Sequence, residues 1–278
     1  MSAESEGQKE ATRFRQQHNL GTAPLGDLVT LIEQAVGADV AVLDTEPNQH
    51  GMTMRRGTDG PIYIAVTRTI HPMRQRSTLA HELAHVIFGD WSAEAIVDSP
   101  NPIESRANSF ARHLLVPQEG VKEMITSEHV GPGRALLSAV VQRFLVSPTI
   151  AAIALEQCGR INRATKDEWM SVTTPTLAAE FGWMERYQAL AEASNSRRAP
   201  QRLLARAISG WLQNLVPIQT IATLRGLSAD EAEEELRREG LQPAEVNVTP
   251  SWSKTSELPE VSIDLSEFDA DMNDSLRE

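Results

Sequence analysis

The chain has 278 residues, of which 41% are hydrophobic and 23% are charged, and its formal net charge is −12 at pH 7. These values are typical of a soluble globular protein and exclude a collagen, a disulfide-rich miniprotein and a wholly disordered chain. Cys158 is the single cysteine, which excludes an internal disulfide. The sequence shows neither a signal peptide nor an apolar run of the ~20 residues that span a bilayer. We therefore expect a cytoplasmic protein with no membrane partner.

The predicted elements change from mixed to helical along the chain. A short helix is expected over residues 8–18, and apolar side chains at helical spacing predict a second helix from residue 25 to Gly37. Residues 40–43 have the composition of a strand. Residues 52–67 predict a β-hairpin, because an Asp-Gly pair favours a tight turn and β-branched residues follow it. Helical periodicity dominates from Thr78 onward.

These elements predict an α+β fold that is mainly helical, with a small β-sheet. Proline and glycine punctuation suggests a core over residues 1–120, a helical bundle over 121–170 and a second helical module over 171–250. Residues 251–278 contain eight acidic and two basic residues, a net charge of −6 that is half of the chain's total. We predict that this acidic tail is disordered, since it has few aromatic residues and a high charge.

The central chemical signal is the H-E-x-x-H sequence at residues 81–85. Residues four apart lie on the same face of a helix, so His81 and His85 can direct two imidazoles at one metal ion. Zinc accepts imidazole nitrogen and prefers four ligands in tetrahedral geometry. Glu82 lies one step around the helix, where its carboxylate can take a proton from metal-bound water. The alternative is a chance pair of histidines on a helix, because the bare motif has a real false-positive rate.

A third ligand is needed, because catalytic zinc usually has three protein ligands and one water. Glu104 follows His85 by nineteen residues, begins the next helical run and is the best candidate. Asn108 lies one turn later and can accept the outer N–H of a ligand histidine. His113 points to the opposite side of that helix and is excluded as a ligand. The alternative for Glu104 is a capping box with Asn101, in which the folded-back carboxylate cannot also bind a metal.

The chain resembles the ImmA/IrrE metallopeptidase family at three spaced segments, which are R-Q-R-S-T-L-A-H-E-L-A-H (74–85), E-S-R-A-N-S-F-A (104–111) and L-L-V-P (114–117). The resemblance covers roughly residues 10–160. Two departures are visible. Ala84 stands where glycine is frequent in the family, and Val116 stands where methionine is frequent.

The resemblance implies a zincin-like metallopeptidase core within residues 1–120, followed by a helix-turn-helix-like bundle. It also implies that His81, His85 and Glu104 bind zinc and that Glu82 is the catalytic residue. Family members typically act on helix-turn-helix repressors in stress or mobile-element regulation. The expected function is therefore a zinc metalloendopeptidase that cleaves a specific regulatory protein, with a helix-turn-helix transcriptional repressor as the partner.

Two further site assignments rest on weaker grounds. His71 lies just before the metal helix and is a candidate for stabilising an oxyanion, with an ordinary loop histidine as the alternative. Ile62 and Ile64 belong to a strand that we consider as a sheet edge, to which an extended substrate adds through main-chain hydrogen bonds. For each residue of that strand, plain core structure is the alternative.

Two helical pairs raise the question of nucleic-acid binding. Ser147 and Pro148 can begin the second helix of a helix-turn-helix-like pair, but that helix offers few side chains that read bases. A capping box at Ser228 and Glu231 begins a helix whose exposed face is acidic and repels phosphate. We therefore expect these modules to pack or to bind protein, without direct nucleic-acid binding. The competing function is a non-catalytic, metal-containing regulator that sequesters a repressor or binds DNA.

Overall fold

A computed structural model of the protein describes residues 2–45, 51–91, 101–127 and 131–244. Helices dominate this part of the chain, together with one three-stranded sheet, so the predicted α+β class is confirmed. The acidic tail, for which we predict disorder, lies outside the described residues.

Two helices precede the sheet, α1 (Ala3–Gln17) and α2 (Leu28–Val36). α1 begins earlier than the helix predicted over residues 8–18, because Ser2 accepts a hydrogen bond from the Ser5 N–H and caps an additional first turn. Asp27 caps α2 through the N–H groups of the following turn. Gly37 ends α2 in the left-handed conformation, as the sequence predicts.

The sheet contains three strands, β1 (Asp39–Leu43), β2 (Gly51–Arg55) and β3 (Ile62–Thr67). β3 lies in the middle, pairing in parallel with β1 and antiparallel with β2. The β2–β3 pair confirms the predicted hairpin. The prediction that Ile62 and Ile64 form a free sheet edge is wrong, because a strand paired on both sides has no main-chain groups left for an added strand. Among the described residues, β2 has a strand partner on one side only and is therefore an edge.

Two long helices follow the sheet: α3 (Pro72–Phe88) packs against β2 and β3, and α4 (Pro102–Leu115) packs on α3. α3 starts with Pro72 at its first helical position and ends at Gly89 in the left-handed conformation. Small side chains let the two helices approach closely. The small buried residues are Ala80 and Ala84 on α3 and Ala107 and Ala111 on α4, and Leu79 and Leu83 of α3 are buried beside them in the sequence.

α1 packs on the side of α4 that faces away from the sheet. A methyl group built at Gly7 would lie 2.5 Å from the backbone oxygen of Arg106 and 2.6 Å from the backbone nitrogen of Phe110, so only glycine fits at this crossing. Phe14 meets Phe110 edge-on, with ring centroids 6.1 Å apart. Both rings are fully buried. The first helix of the chain is therefore part of the main core.

Six helices continue that core, α5 (Gln118–Ser127), α6 (Arg134–Phe144), α7 (Pro148–Gln157), α8 (Arg163–Trp169), α9 (Thr174–Glu180) and α10 (Met184–Ser194). α6 and α7 form the bent pair that the sequence predicts, with an angle of 109° between them. Ser147 caps α7 by accepting from the Ile150 N–H. Ala151, Ala152 and Leu155 of α7 are fully buried, so this helix packs inward.

The last three described helices form a smaller core, α11 (Gln201–Leu212), α12 (Ile218–Arg225) and α13 (Ala229–Arg238). Ser228 and Glu231 make the predicted capping box at the start of α13. Arg198 pairs with Asp27, and Arg202 pairs with Asp39 of β1. The boundaries near residues 120 and 170 stay predictions. Within the described residues, no single helix is long and apolar enough to cross a membrane, and α6 with α7 meets that test only as a bent pair.

Candidate metal centre

Helix α3 brings the two histidines of the motif to one point. His81 and His85 lie one turn apart, with ring centroids 4.8 Å apart and planes at 76°. Their Nε2 atoms are 3.1 Å from each other. Two neutral imidazoles satisfy this contact only if one of them donates, whereas a metal ion between them uses both lone pairs.

Glu104 faces the same point from the first turn of α4. Its Oε2 lies 3.1 Å from His81 Nε2, and its Oε1 lies 3.6 Å from His85 Nε2. Asn101 caps α4 by itself, accepting from the Ile103 N–H. The capping-box alternative is therefore wrong for this residue, and the Glu104 carboxylate is directed at the histidines.

The three ligand atoms have the spacing that a tetrahedral metal requires. With metal–ligand bonds of ~2.0–2.1 Å, two corners of a tetrahedron are about 3.3 Å apart. The two Nε2 atoms are 3.1 Å apart, and Glu104 places Oε2 3.1 Å from His81 Nε2 and Oε1 3.6 Å from His85 Nε2. Among the residues that the structure describes, these three form a group whose spacing could hold a metal ion. Their geometry fits one metal ion with a fourth position open.

The outer nitrogen of each histidine faces an oxygen. His81 Nδ1 lies 3.1 Å from Asn108 Oδ1, which is the contact the sequence predicts for Asn108. His85 Nδ1 lies 3.6 Å from Asp90 Oδ2, and both of these buried atoms lack a hydrogen-bond partner within the described part of the chain. A metal on Nε2 leaves the proton on Nδ1, directed at Asp90. The orphaned pair is thus a second observation that fits a metal.

Asp90 was missed by the sequence analysis. It follows Gly89, which ends α3, and its backbone N–H donates to the His85 carbonyl at 2.9 Å, which folds the chain back against the helix. Arg106 of α4 holds its other oxygen at 2.6 Å and also contacts Glu6 of α1 at 3.1 Å. The guanidinium lies 4.6 Å above the Phe88 ring. Asp90 is therefore held by the end of α3 and by Arg106 of α4, which is itself held by Glu6 of α1.

Glu82 follows His81 in α3, about 100° further around the helix, and β2 covers it. It is 7% exposed, and its Oε2 accepts a hydrogen bond of 2.6 Å from the Thr53 hydroxyl. Burial raises the pKa of the Glu82 carboxyl above its ordinary value, while the Thr53 hydrogen bond and the nearby His81 act in the opposite direction. Sequence reasoning missed Thr53, because a strand residue 29 positions away gives no local signal.

Two of the weaker site predictions are wrong. His71 precedes the first turn of α3, ten residues before His81, which is about 15 Å along the helix axis. It is exposed and too far from the metal-binding group to act there. Ile64 of the central strand is 1% exposed and packs in the core, as its plain alternative predicts. His113 contacts Glu4 of α1 at 3.0 Å, on the far side of α4, which agrees with its exclusion as a ligand.

Comparison with known proteins gives two matches. Residues 37–156 match the peptidase M78 family model, described as the IrrE N-terminal-like domain. The chain is also 30% identical over 141 residues to the radiation response metalloprotease IrrE of Deinococcus deserti. That alignment covers 44% of this chain and 50% of the relative, so the chain spans about half the length of the curated protein it matches. The family match runs from β1 to α7 and contains the whole metal-binding group.

Proposed function

Residues 37–156 belong to the M78 family of metallopeptidases, and from this premise we propose that the protein is a zinc-dependent endopeptidase. The observation that carries the proposal is the triangle of His81, His85 and Glu104 donor atoms, with Glu82 on the adjoining side of the same helix. Two imidazoles and one carboxylate, with an open fourth position, are typical of catalytic zinc sites.

His81, His85 and Glu104 would hold the zinc ion. Bound there, zinc supplies Lewis acidity and lowers the pKa of a coordinated water to about 7. The Glu104 side chain is 43% exposed, so the ligand group can be reached from solvent. Asn108 and Asp90 fix the two imidazole rings through their outer nitrogens.

Glu82 is the proton carrier in this proposal. Glu82 follows the ligand His81 in the chain, and its carboxylate contacts Thr53 of β2. In this mechanism the carboxylate takes a proton from water and returns it to the leaving amine. Burial favours this role, because a raised pKa brings a carboxylate closer to the working pH of a general base.

β2 is the strand that would hold the substrate. Its outer edge has no strand partner among the described residues, and it crosses α3 beside Glu82. An extended segment of a protein adds to such an edge through main-chain hydrogen bonds, which place the scissile carbonyl over the helix beneath. This replaces β3 as the predicted substrate strand.

We propose a helix-turn-helix repressor as the substrate, in stress or mobile-element regulation. The ImmA/IrrE resemblance supports this choice, and the matched relative is named a radiation response metalloprotease. Charge supports it too. DNA-binding proteins are usually basic, and this chain carries a net charge of −12, which attracts a basic partner.

The test is cleavage of a purified helix-turn-helix repressor, encoded next to this protein, by the zinc-loaded chain. Gel analysis should show discrete fragments, and Glu82→Gln should slow their formation by at least ~100-fold while zinc content stays at one ion per chain. Zinc removal by a chelator should stop cleavage, and added zinc should restore it. Equal cleavage by Glu82→Gln and wild type would overturn the mechanism. Release of repressor from DNA without any fragment would favour the non-catalytic regulator instead.

A further inference from the structure

The side chain of Thr53 connects the sheet to the carboxylate of Glu82. Its hydroxyl lies 2.6 Å from Glu82 Oε2 and 3.1 Å from the Glu82 backbone oxygen. A hydroxyl has one proton to donate, and the shorter contact is to the charged oxygen. Thr53 is itself fixed, because its partner in the β2–β3 ladder is the buried Ile64.

Gly51 contacts the other oxygen of the same carboxylate. A methyl group built at Gly51 would lie 2.5 Å from Glu82 Oε1 and 2.7 Å from Thr78 Cγ2. Any larger residue therefore displaces the carboxylate or lifts β2 away from α3. Gly51 and Thr53 are two positions apart on one strand, so their side-chain directions are the same. One face of β2 thus meets both oxygens of Glu82.

The two oxygens differ in their surroundings. Oε2 accepts from Thr53, whereas Oε1 is closely approached by Gly51 among the described residues. Confining a glutamate side chain to one position costs rotamer entropy, which a fixed hydrogen-bond partner can offset. Thr53 offsets that cost by holding one oxygen.

We propose that Thr53 is a positioning residue for the general base: it fixes the Glu82 carboxylate through Oε2, and Gly51 provides the room for this arrangement. The inference rests on the proposed peptidase function. Since the Thr53 side chain points at α3, removing its hydroxyl leaves the main-chain groups at the outer edge of β2 intact. The loss should therefore fall on kcat and leave KM unchanged.

Thr53→Val keeps the shape of the side chain and removes the hydroxyl, while Thr53→Ser keeps the hydroxyl. Thr126→Val is the matched control, because it removes a hydroxyl from an exposed threonine of α5 that donates only to the Lys122 carbonyl of its own helix. With the repressor that wild type cleaves, Thr53→Val should lower kcat roughly 10–100-fold, part of what a general base contributes. KM and zinc content should stay within about twofold of wild type. Thr53→Ser and Thr126→Val should stay within about threefold of wild-type kcat.

A crystal structure of zinc-loaded Thr53→Val provides a readout that needs no substrate. The proposal expects the Glu82 carboxylate to leave the position it has in wild type, and an unmoved carboxylate overturns it. Unchanged kcat in Thr53→Val also overturns it, as do equal losses in Thr53→Val and Thr53→Ser, which indicate a structural role. If Thr53→Val does not fold, Gly51→Ala is the second variant, with the same expected loss of kcat and retention of zinc. Absence of any cleavage by wild type counts against the peptidase function and leaves the structural readout standing.

Discussion

The two sides of α3 give the same motif two different environments. On one side, α4 and the turn at Asp90 surround His81 and His85 with polar groups, and the Glu104 carboxylate there is 43% exposed. On the other side, β2 covers Glu82, which is 7% exposed and contacts one hydroxyl. Adjacent helix residues diverge by ~100°, so a ligand and its neighbouring base face different partners. In the proposed mechanism, metal binding and proton transfer are therefore supported by separate elements and can be disturbed separately.

Glu104→Ala should have the largest effect of these substitutions, a loss of zinc affinity. Loss of one of three protein ligands should weaken zinc binding by more than ~100-fold, beyond the roughly 10–100-fold typical of outer partners. Competition with a chromogenic zinc chelator measures this affinity. Glu119→Ala, at an exposed glutamate of α5, is the control and should bind zinc like wild type. Wild-type affinity in Glu104→Ala would show that the ligand group is misassigned.

Asp90→Asn should weaken zinc binding on the ligand side of α3 and leave the contact of β2 with Glu82 unchanged. The substitution keeps the shape of the side chain and removes the negative charge that His85 Nδ1 and Arg106 face. We expect zinc affinity to fall roughly 10–100-fold. Asp59→Asn, whose side chain is 96% exposed, is the matched control. A variant that keeps zinc affinity but loses activity would place Asp90 on the base side instead.

A smaller effect concerns the support of α4 by α1. Burial raises the pKa of Glu4, but hydrogen bonds from His113 and Arg112 outweigh it and bring the pKa to about 2. The carboxylate therefore contributes stability that is fully present above its unfolded pKa near 4.5 and is lost as pH falls towards 2. Burial lowers the pKa of His113, so its contribution is present above 6.5 and declines as pH falls below that value.

Both groups thus make the protein less stable in acid. Urea unfolding at several pH values should show wild type more stable than Glu4→Gln at pH 7, with the difference shrinking below about pH 4.5. Metal-free protein should be used for both variants, so that zinc release does not contribute. A difference that stays constant down to pH 3 would mean that Glu4 is not ionised in the way described.

The ligand side was largely predictable from the sequence, and the base side was not. Helical periodicity is regular, so the spacing of His81, His85, Glu104 and Asn108 on two helices is enough to bring them together. The contact of Thr53 with Glu82 depends on how a sheet lies on a helix, which no local pattern encodes. The hairpin itself was predictable, but the strand that takes the edge was not, because no local pattern shows that β1 pairs with β3, 24 positions further along, instead of with β2.

His71 and Asp90 show the same limit at the two ends of α3. Nearness in sequence suggested His71, yet a helix separates its ends by its own length, and His71 lies about 15 Å from His81. Asp90 is five residues from His85 and reaches it only because Gly89 reverses the chain. Its direction depends on a turn, whereas that of Asn108 depends on a regular helix.

The close crossing at Gly7 has a consequence for where this domain starts. The family-model match begins at residue 37, whereas α1 ends at Gln17 and lies against the helix that carries Glu104. A polypeptide trimmed to residues 37–156 would expose the Phe110 face of that helix to water and leave Arg106 without its Glu6 partner. The folded core is thus longer than the span that the family model matches. Residues outside that span support the helix that carries Glu104.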